Sequence, residues 1–164
     1  MELDLGTVII GIFGTFLCIL PFILIARSRK NRAKQLLKSL TKIANEHQCQ
    51  INQKETFGNF AIGLDELKNA VFFYRESKDK IDEQYLELAD FQNCKVINTN
   101  RTFKNNGSLQ KVIDKLELDF IPKTKEKQDV KLEFFNADVS LQLYEELHGV
   151  EKWSKILNDR LVKK

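Results

Sequence analysis

His47 and Cys49 stand two apart, and Cys94 and His148 complete a set of metal-ligand types. Structural metal sites draw their ligands in close pairs. One His-x-Cys with two distant residues does not make that pattern, so no metal is expected. Asp114, Glu117 and Asp119 put three carboxylates in one short run. On an alternating strand, 117 and 119 share one face, where solvated charge is the expectation and not acid–base work. The chain has no phosphate loop, no Rossmann glycine fingerprint and no His-Glu-x-x-His. Two histidines and no nucleophile motif leave no catalytic set to name. The expectation is a non-enzyme without a cofactor.

A basic collar is the strongest chemical signal. Residues 27–42 hold Arg27, Arg29, Lys30, Arg32, Lys34, Lys38 and Lys42, with no acidic residue between Asp4 and Glu46. Each such residue contributes about 1 kcal/mol near an anionic lipid surface. Arg27, Arg29, Lys30, Arg32 and Lys34 are therefore the expected membrane-surface contacts, and anionic lipid headgroups the expected ligand. The whole chain carries +3, the collar +7 and the residues before it −2, so residues 43–164 carry −2. A nucleic-acid face needs basic residues spread over the folded domain. No nucleic-acid partner is expected.

The collar is placed by what precedes it. Residues 5–26 contain no charge, and about 20 apolar residues suffice to cross a bilayer as a helix. The start is acidic (Glu2, Asp4), no small-residue cleavage site precedes Arg27, and Leu17 stands before Cys18 where a lipoprotein has a small residue. The expectation is one uncleaved transmembrane helix over 5–26, bent at Pro21. Basic residues stay on the cytoplasmic side. This predicts a single-pass protein of the cell (inner, cytoplasmic) membrane, N-terminus outside and domain cytoplasmic. Cysteines without a disulfide framework agree with a reducing compartment. Thr7, Gly11 and Thr15 recur every four residues on one face, a spacing that lets two helices approach closely. They are the candidate helix–helix contact and the ground for a possible homo-oligomer.

Residues 27–48 read as a basic amphipathic helix. Ala33, Leu36, Leu37, Leu40, Ile43 and Ala44 fall on one stripe, with Lys34, Lys38 and Lys42 opposite. The first turn is expected at lipid and the stretch from Leu36 to Ala44 on protein. From Cys49 the period changes to alternation, as in Phe60-Ile62-Leu64, Leu116-Leu118-Phe120 and Val130-Leu132-Phe134. Seven strands with one wet face are expected, separated by turns at Gly58-Asn59, Lys68-Asn69, Asn105-Asn106-Gly107 and the charged loop 122–129. A closing helix is expected over 141–162, with Leu143, Leu147, Val150, Trp153, Leu157 and Leu161 on one face. Trp153 is expected in the core, against residues such as Phe72, Leu118 or Phe134. Gly149 weakens this helix by about 1 kcal/mol relative to Ala.

Three phrases add a resemblance. FAIGLDELKNAVFFYRE, IDEQYLELADFQNCKVINTN and VEKWSKILNDRL are similar to the successive strands and closing helix of bacterial pleckstrin-homology-like (PH-like) domains. With the apolar segment in front, the chain resembles small membrane-anchored PH-like proteins of bacteria. The resemblance implies an α+β fold over 49–164: a seven-stranded antiparallel β-sandwich or barrel closed by a C-terminal helix. It does not carry over phosphoinositide binding, because the first hairpin offers only Lys54. The function expected is a single-pass membrane-anchored cytoplasmic binding or adaptor module with a protein partner. The alternative is a self-associating structural membrane component without a separate ligand.

Overall fold

The computed structural model describes residues 5–77, 80–105, 108–124, 128–140, 143 and 145–162, without the side chains of 5–14, 103, 105, 108 and 110. One helix, α1 (Leu5–Glu46), runs from the apolar segment through the collar without a break. Its 42 residues extend about 63 Å. Seven strands follow: β1 (Gln53–Phe57), β2 (Phe60–Asp65), β3 (Ala70–Ser77), β4 (Lys80–Glu87), β5 (Phe91–Asn105), β6 (Ser108–Pro122) and β7 (Val130–Asn136). A second helix, α2 (Glu146–Val162), comes last.

The strands do not form the single sandwich or barrel expected. They make two separate antiparallel sheets, β1-β2-β3-β4 and β5-β6-β7, and no barrel closes among the described residues. The ladder stops after β4 because Leu88–Asp90 form a short 3₁₀ turn. A register shift between Phe91 and Asn93 follows at the start of β5. The main core lies between the sheets. Phe60, Ile62, Leu64 and Phe73 from the first meet Leu116, Leu118, Phe120, Leu132 and Phe134 from the second, with Val150, Trp153 and Leu157 of α2.

α1 makes a further layer. Leu36, Leu40, Ile43 and Ala44 pack on the outer face of the four-stranded sheet, against Ala61, Ala70, Phe72 and Tyr74. Every residue of β2 is therefore buried, where one wet face was expected. Covering both faces of a sheet requires apolar residues on both, and AVFFY in β3 supplies them. Small residues let the helix approach. A Cβ on Gly63 would lie 2.8 Å from Ile51 Cγ2 and 3.0 Å from Leu40 Cδ2. Phe72 thus faces α1 and not Trp153.

The expected transmembrane helix is also corrected. Among the described residues, no helix is long and apolar enough to cross a membrane.

The turns obey local rules. Gly58 (φ 40°) and Asn59 join β1 to β2 as a two-residue hairpin turn, with Phe57 opposite Phe60. Just beyond the end of α1, Gln48 turns the chain with a positive φ (56°), and Cys49 N donates back to Ala44 O at 2.8 Å. Asn106-Gly107 and part of the 122–129 loop lie outside the described residues.

Candidate functional site

Five residues of the 27–42 stretch that face the β domain are on one side of α1. Arg27, Ser28, Asn31, Arg32 and Gln35 follow one another at helical spacing. Across from them stands the tip of the β3–β4 hairpin, with Glu76 and Ser77. Between the two is an open cleft of about 610 Å³, whose upper wall is Leu24 of the apolar segment. Its size falls within the ~300–1,000 Å³ of small-ligand sites. The hairpin tip therefore lies level with the boundary between apolar and basic residues. The packing of Leu36 and Leu40 fixes this geometry, since the helix has no joint between collar and sheet.

Above the collar, residues 15–26 are all exposed. Phe16 (62% exposed), Phe22 (74%) and Ile23 (58%) project from different sides, as do Leu17, Leu24 and Ile25. A helix apolar all round is normally covered. Arg27, Arg29, Lys30, Arg32 and Lys34 are all exposed. None of the five has an ion-pair partner among the described residues. Thr15 is exposed on the same segment, while the side chains of Thr7 and Gly11 lie outside those described.

The other candidate residues are dispersed. His47 stacks on Tyr85 with ring centroids 3.9 Å apart. Cys49 packs under α1, Cys94 lies in the main core, and His148 is exposed on α2. The described residues contain no group of three or more that could hold a metal. Asp114 pairs with Arg101 at 2.7 Å. Asp119 corrects the expectation of a solvated carboxylate: it is 9% exposed, and its Oδ1 has no hydrogen-bond partner among the described residues. It lies in register between Lys95 of β5 and Lys131 of β7.

Both domain cysteines are shielded. Burial, and then the Asp119 charge, push the Cys94 thiol up to about 12. Burial also raises Cys49, against the pull of Lys68. Neither thiol is therefore a probe of sidedness by labelling in the folded protein.

Polar ties fix the domain around the cleft. Arg75 of β3, 7% exposed, donates to Glu133 of β7 through the carboxylate and, at 3.2 Å, the backbone carbonyl. It joins the two sheets one residue before Glu76. Trp153 Nε1 donates to Glu55 of β1 at 2.8 Å, and Arg160 pairs with Glu66 of the β2–β3 turn. Sequence reasoning named the collar but missed Glu76 and Ser77. Only the register Glu76↔Ile81, Ser77↔Lys80 and the docking of α1 bring that hairpin beside it. No family model, curated protein or solved structure matches the chain.

Proposed function

We propose that this protein is a binding module held against an anionic lipid surface by the collar and the adjoining apolar end of α1. The observation that supports this most is the continuity of α1. An exposed apolar segment passes directly into unpaired cations, and the same helix is then locked onto the domain by Leu36, Leu40 and Ile43. The apolar side chains seek hydrocarbon, and the cations meet the headgroups beside it. The domain is thereby presented at a fixed distance from the surface, as an adaptor requires. No chemistry on a substrate is part of this reading.

Vesicle flotation tests it. Every buried apolar residue among the described residues is at position 36 or later, so a fragment of residues 27–164 keeps the core they form. The full chain is expected to float with phosphatidylglycerol vesicles. The fragment is expected to float with them at low salt and to be released as ionic strength rises, since screening acts over about 10 Å at 0.1 M. Replacing Arg27, Arg29, Lys30 and Arg32 by Gln should abolish fragment flotation. Equal binding of the fragment to neutral phosphatidylcholine, or indifference to salt, would remove the collar from the site.

A further inference from the structure

The cleft between α1 and the β3–β4 tip holds both signs of charge and does not pair them. Arg27 and Arg32 line one wall and Glu76 the other. The Glu76 carboxylate has no hydrogen-bond or ion-pair partner among the described residues, and neither arginine meets it within ion-pair distance. Exposed opposite charges gain little by closing on each other, which leaves this carboxylate available to a ligand's cation. Here the open space of about 610 Å³ lies between them. Leu24 forms the rim toward the apolar segment, and Ser28, Asn31, Gln35 and Ser77 add neutral hydrogen-bonding groups.

A plain anion is poorly matched to this cleft, since Glu76 would face it. A zwitterion is matched at both ends. We propose that the cleft takes the headgroup of an aminophospholipid, phosphatidylethanolamine in type, with its phosphodiester on Arg27 and Arg32 and its primary ammonium on Glu76. Guanidinium groups suit phosphate oxygens, and a primary ammonium donates hydrogen bonds to a carboxylate. The glyceryl end then faces Leu24 and the apolar side of the helix. A soluble phosphoethanolamine would use the same polar groups but would leave Leu24 without a partner. Phosphatidylcholine presents a quaternary ammonium that donates no hydrogen bond. Phosphatidylglycerol offers Glu76 no cation. This inference rests on the lipid-surface reading and adds selectivity to it, so the bulk collar meets anionic lipid while one cleft selects an amine.

Native mass spectrometry of the full chain in a mild non-ionic detergent tests it, with equimolar dioleoyl phosphatidylethanolamine, phosphatidylcholine and phosphatidylglycerol competing. Retention of the ethanolamine lipid is expected to exceed that of the choline lipid by about fivefold, the effect of one partly solvated ion pair. Glu76→Gln should reduce that ratio to near one. Glu76→Lys should turn the preference to phosphatidylglycerol. Arg27→Gln with Arg32→Gln should lose the ethanolamine lipid. Glu76 is an exposed position, and unchanged Trp153 emission would show that each variant is folded. Equal retention of ethanolamine and choline lipids by the wild type would overturn the proposal, as would an ethanolamine preference that survives Glu76→Gln. Preferential retention of phosphatidylglycerol by the wild type would overturn it in favour of a plain anionic site. Each of these leaves the lipid-surface reading standing, whereas no retention of any lipid overturns both.

Discussion

Trp153 is 1% exposed, among Leu118, Phe134 and Val150, and its ring N–H reaches Glu55 on β1. Truncation to Ala leaves a cavity where the two sheets meet α2, at about 3–5 kcal/mol, and strips Glu55 of a donor. That is a large part of the ~5–15 kcal/mol of a small domain. Trp153→Ala should lower the urea midpoint sharply, and Trp153→Phe less, since the ring volume is mostly kept. A midpoint equal to wild type would show that the indole is not a core element. Asp65 acts through hydrogen bonds. Its Oδ1 accepts from Leu67 N and Lys68 N at 2.9 and 3.0 Å, and its Oδ2 from Gln50 N at 2.7 Å. Burial raises this carboxyl, but the three backbone donors outweigh it and hold it below its ordinary value of 3.8. A depressed folded value means stability that is present above the ordinary value and is lost as pH falls through the depressed one. Asp65→Ala should cost about 2–4 kcal/mol at pH 7. The gap between wild type and variant should shrink in acid, below pH 3.8. A gap that stays constant from pH 7 to pH 3 would separate Asp65 from the acid response.

Gly149 sets a local preference against packing. Replacing glycine by Ala inside a helix gains about 1 kcal/mol. Here the new Cβ would fall 2.4 Å from Phe57 Cε1 and 2.5 Å from its Cζ. Phe57 has little room to retreat, because Phe60 stacks on it at 5.1 Å and Phe134 lies 5.8 Å away. Overpacking costs about 1–3 kcal/mol, so Gly149→Ala should destabilise by calorimetry despite the better helix former. A raised melting temperature would mean that the ring moves freely. Gly149 read from sequence as a weakness of the helix; its use is the ring of β1. The same limit applies elsewhere. Strand positions were legible because the alternation of Leu116-Leu118-Phe120 and Val130-Leu132-Phe134 is a local property. The stripe Leu36-Leu40-Ile43-Ala44 was legible for the same reason. What the stripe packs on was not, since Ala61 and Gly63 read as the wet side of β2 until the helix covers them. The break into two sheets turns on three residues, Leu88–Asp90, that carry no strong turn signature. In the candidate site the collar was legible as a charge run. Its opposite wall was not, because Glu76 lies 44 positions beyond Arg32 and meets it only through tertiary docking.

At the scale of the whole molecule, α1 and the four-stranded sheet make one lever with no linker. The β3–β4 tip lies beside Leu24 and Arg27, and the β2–β3 turn lies at the other end of β3. From Ser77 back to Ala70 the strand rises about 23 Å, so the two ends differ strongly in their distance from any surface the collar meets. The shielding of Cys49 and Cys94 makes this measurable. In a Cys18→Ser background the remaining thiols are buried, 3% and 2% exposed, and a single introduced cysteine takes the label. Ser77→Cys and Leu67→Cys, each carrying an environment-sensitive fluorophore, should then diverge on phosphatidylglycerol vesicles that contain a quencher in the headgroup region. The Ser77 label should be quenched strongly. The Leu67 label, on a residue 85% exposed in the turn, should stay close to its emission in buffer. Raising salt should leave this difference unchanged for full chain that remains bound, because the angle is set by Leu36, Leu40 and Ile43 against the sheet and not by the collar. Equal quenching at both positions would mean that the domain lies flat on the surface or swings about α1, and the continuous helix would then not set its orientation.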